Sequence, residues 1–279
     1  MSVSSFLSKV RLSPWLLLTL LSGLACIHLG LSLKLGRYSF LAISLVFWLA
    51  ISSTIGDRYR TFKYESDWLS SILGSVCLLL CLGLGKVLSP SLWLNFAPVV
   101  FILGTALVAS GSKNLRDYRP ELIIMATLSI PKLLLPLIPD ISTITAKFSA
   151  FWLYYCGFDV ILSSTTIILT KGGVEVIPSC SGLNLMLYMF GLAIVFLVMF
   201  PLFSSRLKII SVVTAIAIGF VTNSVRVAIL ALCSGSADRT AFEYWHSQDG
   251  ALIFVTISVL LYGCYCWLLL RHHSLRASP

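Results

Sequence analysis

Long apolar runs separated by short polar segments dominate the chain. About eight can be drawn, near 14–33, 38–56, 68–85, 91–111, 121–139, 179–203, 208–233 and 250–270. Each is close to the ~20 residues a helix needs to cross the hydrocarbon of a bilayer. Lipid offers no partner to backbone N–H and C=O groups, so runs of this length are expected as helices. The pattern predicts an all-α polytopic membrane protein with about eight transmembrane helices. Pro131 and Lys132 interrupt the fifth run, which is expected to kink or to lie partly at the interface. The first run follows a basic start, MSVSSFLSKVR, as in a signal peptide, but it extends through Leu33 and is expected as a retained helix.

Between 140 and 178 the pattern changes. FDVILSSTTIILTKGGVEVIPS has β-branched runs around Lys171-Gly172-Gly173, which predicts a small β-hairpin on the outer surface. Phe148, Phe151, Trp152, Tyr154 and Tyr155 precede it. That cluster suits the headgroup zone, an interfacial helix or a piece of another span. One integral membrane domain over 1–279 is expected: N-terminal helices 1–139, a motif-bearing region 140–270 and a cytoplasmic tail 271–279.

Composition supports the membrane reading. The chain is 58% hydrophobic and 11% charged, with mean hydropathy +0.95, too few polar residues to cover a soluble core of 279 residues. The net charge of +9 raises the question of nucleic acid. In a membrane protein, however, Lys and Arg set topology, so the bilayer and not nucleic acid is the expected partner. With the N-terminus inside, the inner segments hold Lys9, Arg11, Arg58, Arg60, Lys63, Lys113, Arg116, Arg119, Arg206, Lys208, Arg271 and Arg276. The outer segments hold Lys34, Arg37, Lys86, Lys147, Lys171 and Arg239. This two-to-one bias predicts a multi-pass protein of the cell inner (plasma) membrane with both termini cytoplasmic. The connections 140–178 and 234–249 then face the periplasm or outside. The 8 cysteines have no metal-site spacing, and most lie inside apolar runs as small hydrophobes. No metal and no cofactor is expected.

Three polar positions stand out against this background. Pro178 suits the first position of the sixth helix, which places Cys180 in its first turn, where free N–H groups and the helix dipole favour a thiolate. Ser181 and Gly182 are small enough to let a substrate approach the backbone, and Asn184 and Tyr188 follow at helical spacing. Equally, Cys180 is the kind of small residue that eases helix packing. Arg226 lies about eight residues inside the seventh span, roughly 12 Å deep at 1.5 Å per residue. A cation there costs a few kcal/mol unless compensated. Asn223 shares its helix face, and Glu175, Glu243 and Asp249 are candidate ion-pair partners, because the acids fall in loops or at span borders. His246, beside Trp245, precedes the eighth helix; it is either a proton carrier or an interfacial side chain. A thiol, a proton acceptor and a fixed cation at one end of the helices are the parts of an acyl-transfer site.

CSG at 180–182, NSVR at 223–226 and WHSQDG at 245–250 together resemble the exosortase/archaeosortase family, most closely its cyanobacterial branch, the cyanoexosortases. The resemblance covers roughly residues 140–270. It implies a membrane cysteine transpeptidase or protease acting on exported proteins. These carry a C-terminal sorting signal: a short motif such as Pro-Glu-Pro, one transmembrane helix and a basic cluster. Cys180 would hold the substrate as a thioester, with Arg226 and His246 catalytic and Ser181, Gly182, Asn184 and Asn223 supporting. An acceptor, glycan- or lipid-linked, would release it. Many members carry a basic residue just after CSG, where this chain has Asn184; recognition of the acidic motif then falls to Arg226, or to Lys171 and Arg239 with it.

Two other readings are open on sequence: a membrane cysteine hydrolase using water as acceptor, and a transporter with Arg226 as an anion site. Intramembrane carboxylates for proton coupling are not evident. Nor are HExxH for zinc, GxSxG for a serine nucleophile or a phosphate-binding loop.

Overall fold

A computed structural model describes residues 10–11, 14–200, 204–235 and 239–277, with side chains from 14 to 272 within those ranges. Lys9, Asp238, the end of the predicted 179–203 run and the side chains of His273 and Arg276 lie outside the described residues. The chain forms two compact units, 1–135 and 136–279.

The first unit contains β1 (Val10–Arg11), α1 (Pro14–Lys34), α2 (Tyr38–Arg58), β2 (Glu65–Ser66), α3 (Trp68–Leu84), α4 (Pro90–Ser110) and α5 (Arg119–Leu134). β1 and β2 pair antiparallel. Helix starts follow local chemistry. Asp67 caps α3 by accepting from the Ser70 N–H at 3.0 Å, and Pro90 opens α4 after Ser89. α3 and α4 cross at Gly74 and Gly104, where an added Cβ would come within 2.7 Å of a neighbouring atom. Such small-residue crossings let membrane helices approach closely. α5 runs through Pro131 and gives way to a 3-10 turn, Leu135–Leu137.

Polar contacts tie the interior of this unit. The His28 ring is fully buried, with Nε2 donating to Leu94 O at 3.1 Å and Nδ1 accepting from Trp48 Nε1 at 3.3 Å. Arg58 forms an ion pair with Glu121 of α5, which is 0% exposed. Glu121 sits near the start of its span, as the sequence places it, but it is wholly enclosed and its carboxylate balances Arg58.

The second unit contains α6 (Ser142–Tyr155), β3 (Val160–Ser163), β4 (Thr166–Leu169), β5 (Gly172–Glu175), α7 (Leu183–Met199), α8 (Ser205–Ser234), α9 (Arg239–His246) and α10 (Gln248–Ala277). The expected hairpin around Lys171 is β4–β5, and β3 extends it to three antiparallel strands. Ser164, at φ 56°, makes the additional turn. The aromatic segment is a 14-residue helix. Its polar and small side chains, Ser142, Thr145, Ala146, Ser149 and Ala150, are buried, whereas Phe151, Tyr154 and Tyr155 are exposed.

The sheet covers the C-terminal end of α8. Ile167 and Val176 join Ala146, Leu153, Val227, Ala228 and Ala231 in one buried cluster. Gly235 lies against Lys171 so closely that no side chain fits there. α8 is held to α10 by Thr222 and Ser258 hydroxyls 2.6 Å apart and by Ser211 and Tyr262 hydroxyls 2.7 Å apart.

Among the described residues, seven helical segments are long and apolar enough to cross a membrane: α1, α2, α4, residues 112–137, residues 178–199, α8 and α10. α3 is apolar too, but at 17 residues it sits at the short end of the spanning range. Leu79, Leu80 and Leu260 are 69%, 62% and 63% exposed on these helices, a surface suited to acyl chains and not to water. The protein is a polytopic helical membrane protein.

Candidate active site

Cys180, Arg226 and His246 all belong to the second unit, and its hydrogen bonds draw their segments together. Cys180 ends a 3-10 turn, Pro178–Cys180, ahead of α7. It is therefore not in the first α-helical turn, as the spacing predicts. Gly182, with φ 89°, reverses the backbone between the turn and the helix, so Asn184 and Tyr188 do not continue a helical face from Cys180. The reason lies next to Gly182: Asn223 of α8 fills the space a side chain would need, and a Cβ would sit 2.6 Å from Asn223 Nδ2. Only glycine satisfies both the positive φ and the close approach.

Asn223 also fixes the backbone at Cys180. Its Nδ2 donates to Cys180 O at 3.0 Å. From the other side, Thr145 Oγ1 of α6 donates to Ser181 O at 2.6 Å. Ser181 is 1% exposed and its hydroxyl donates to Pro178 O at 2.8 Å. Two successive carbonyls are thus gripped by two helices, and the half-buried Cys180 thiol projects from a rigid turn. Its sulfur has Ser179 Oγ at 4.0 Å. Asn184 begins α7 one turn further along and is half-buried.

Arg226 lies one turn beyond Asn223 on α8. Its Nη2 donates to the carbonyls of Trp245 and His246, each at 3.2 Å. These carbonyls close α9, so the guanidinium occupies the negative end of a helix dipole. Nε of Arg226 is buried and has no partner among the described residues. None of Glu175, Glu243 and Asp249 forms an ion pair with it there. Among the described residues, peptide dipoles and not a carboxylate hold this cation. The Cys180 sulfur lies within electrostatic range of it.

His246 contributes its carbonyl to Arg226, while its exposed imidazole stacks on Phe242, with centroids 5.5 Å apart and planes 11° apart. The thiol and the imidazole share no hydrogen bond among the described residues. The α9–α10 junction is tight at Gly250, where a Cβ would come within 2.5 Å of Tyr244 O. That explains the glycine of WHSQDG. Lys171 and Arg239 are exposed, Lys171 in the β4–β5 turn and Arg239 at the start of α9. Among the described residues, no group of three or more His, Cys, Asp or Glu is placed to hold a metal ion.

The model of the family described as transmembrane exosortase (Exosortase_EpsH) matches residues 34–263. The chain belongs to the transmembrane exosortase family. The match reaches well into the first unit, beyond the 140–270 region that carries the motifs. Comparison with curated proteins and with solved structures returned no match.

Several positioning residues carry no motif. Thr145 and Ser149 lie at i and i+4 within an aromatic helix, a hydroxyl stripe visible in the sequence but without an assigned partner. Ser149 Oγ donates to Ser224 O at 2.9 Å, and Trp152 Nε1 donates to Ser224 Oγ at 3.1 Å. Trp152, one of the aromatic cluster seen in the sequence, anchors α6 to the NSVR segment.

Proposed function

We propose that the protein is a membrane cysteine transpeptidase that cleaves the C-terminal sorting signal of exported proteins, with Cys180 as nucleophile and Arg226 and His246 as its catalytic partners. One observation carries this reading: a half-buried guanidinium, held by peptide carbonyls and without a carboxylate partner among the described residues, within electrostatic range of a thiol on a rigidly held turn. A structural arginine in a membrane needs a counter-charge; an arginine that stabilises a negative charge appearing during reaction must be kept without one.

In the proposed mechanism, Cys180 gives up its proton to His246 as Sγ attacks the scissile carbonyl carbon. Arg226 stabilises the oxyanion in a low-dielectric setting, where a fixed charge acts strongly. The C–N bond breaks, the leaving amine takes the proton from imidazolium, and a thioester remains on Cys180. An acceptor nucleophile, glycan- or lipid-linked, attacks the thioester and restores the thiol. Asn223, Ser181 and Gly182 position the nucleophile, and Asn184 lines the approach. The substrate carries a short motif of the Pro-Glu-Pro kind, a transmembrane helix and a basic cluster. Lateral diffusion would deliver the end of that helix at the depth of the site. The Lys and Arg distribution supports a site facing the periplasm or outside in an inner membrane, with both termini cytoplasmic. The three motifs support placement in the cyanobacterial branch.

The test is co-expression with a candidate tailed substrate. Wild type is expected to shorten it, and Cys180→Ala, Arg226→Ala and His246→Ala to leave it full length at normal membrane levels. Mass analysis of the new C-terminus separates a conjugate from the free acid of a hydrolase. An uncut substrate with wild type would favour the anion transporter. Full activity in any of the three variants removes that residue from the mechanism.

A further inference from the structure

The first unit encloses an apolar cavity of about 610 Å³ bordered by α1, α2 and the C-terminal part of α4. Its volume is in the range of small-molecule sites, ~300–1,000 Å³. Ser22 and Cys26 of α1 and Ser52 and Gly56 of α2 line it and are exposed. Both helices are long and apolar enough to cross a membrane. The opening, framed by these small residues, therefore faces acyl chains.

Two features at the cavity are polar. Thr105 of α4 lines it, and the Oγ1 of this residue is buried with no partner. A threonine inside a helix usually returns its hydroxyl to a carbonyl three or four residues back, as Thr54, Thr127 and Thr256 do. Thr105 does not, and its hydroxyl is enclosed in the helix packing beside the cavity, closed to a guest. The second feature is at the end of the cavity where α2 finishes. Tyr59 and Phe62 line the wall, and each bears a guanidinium on its ring: Arg60 at 5.3 Å and Arg58 at 5.2 Å from the centroids. Arg58 is ion-paired to Glu121; Arg60 and its neighbour Lys63 are exposed.

We propose that this cavity binds one anionic glycerophospholipid. An acyl chain fills the apolar space, and the phosphate rests on Arg60 and Lys63. The proposal concerns the first unit alone and stands independently of the reaction assigned to Cys180.

Native mass spectrometry of the full-length protein in neutral detergent tests it, with dioleoyl phosphatidylglycerol and dioleoyl phosphatidylcholine offered at equal concentration. One phosphatidylglycerol per chain is expected, preferred roughly ten- to thirty-fold for two basic groups near a phosphate. The double variant Arg60→Gln/Lys63→Gln should erase that preference. Ala109→Phe fills the cavity and should abolish retention. Ser52→Phe blocks the exposed opening without touching the packed interior, and should do the same with the lipid-free melting temperature unchanged. Equal binding of the two lipids by wild type, stronger binding of an isoprenyl phosphate than of phosphatidylglycerol, or undiminished retention in Ser52→Phe would overturn the proposal.

Discussion

Two arginines, one in each unit, meet the same problem in opposite ways. Arg58 at the end of α2 pairs with the fully buried Glu121, and the charges cancel. Arg226, well inside α8, bonds to two peptide carbonyls and keeps a buried Nε unpartnered. The rest of each surrounding follows suit. In the first unit, the His28 ring is bonded through both nitrogens, whereas His246 is exposed and stacked on a single ring. A neutralised ion pair holds helices together. A cation held by dipoles still exerts its field, and that field is what a reaction creating negative charge can use.

The sharpest way to break this contrast is at the second unit. Cys180→Ala should eliminate cleavage of a tailed substrate, a loss beyond ~10³-fold. Arg226→Lys, which keeps the charge but loses the planar guanidinium whose Nη2 reaches both carbonyls, should cost ~10²–10³-fold in turnover. A gel-shift assay with membrane levels measured in parallel checks both. If Arg226→Lys retains activity but lowers protein levels, Arg226 is structural like Arg58 and the contrast is lost.

Glu121→Ala is the reciprocal change. It leaves Arg58 unpaired and should cost about 3 kcal/mol of stability, the lower end for a broken buried pair because Arg58 is 34% exposed. Equilibrium unfolding in detergent measures it, and turnover per folded molecule should not change. A smaller effect is expected where the two helices grip the Cys180 turn. Asn223→Ala and Thr145→Val each leave a carbonyl without its donor, about 1–3 kcal/mol apiece. Turnover should drop with them, and the double variant should show coupling in a mutant cycle.

The smallest effect is at Asp67. The Ser70 N–H and hydroxyl hold its carboxyl below the usual carboxylate range. The folded form therefore gains stability from ionised Asp67 above an unfolded pKa of about 3.9, and loses it as pH falls through the depressed folded value. The stability difference between wild type and Asp67→Asn should be flat near neutrality and shrink below about pH 4. A constant difference down to pH 2 would show that the cap is not ionic.

Much of the helical layout is legible because lipid imposes a simple rule on composition. α1, α2, α4, α8 and α10 begin and end within a few residues of the apolar runs, except where α10 continues toward the tail. The rule says nothing about short helices with polar faces. α6 holds Ser142, Thr145 and Ser149 on its buried side, which no hydropathy profile marks as interior. The hairpin around Lys171 is readable from its glycines and β-branched runs; the third strand is not, because its turn uses Ser164 at positive φ instead of glycine.

The sequence by itself determined a polytopic helical membrane protein and singled out a thiol, a cation and an imidazole at the ends of three helices. Hydropathy and the scarcity of buried charge are local properties and can be read along a line. Only the tertiary structure decided that Cys180 stands on a 3-10 turn, that Asn223 demands glycine at 182, and that Arg226 is held by carbonyls instead of an acid. Those outcomes depend on partners 43 and 19 residues away in the chain, whose pairing is fixed by how helices pack and not by any pattern within one of them.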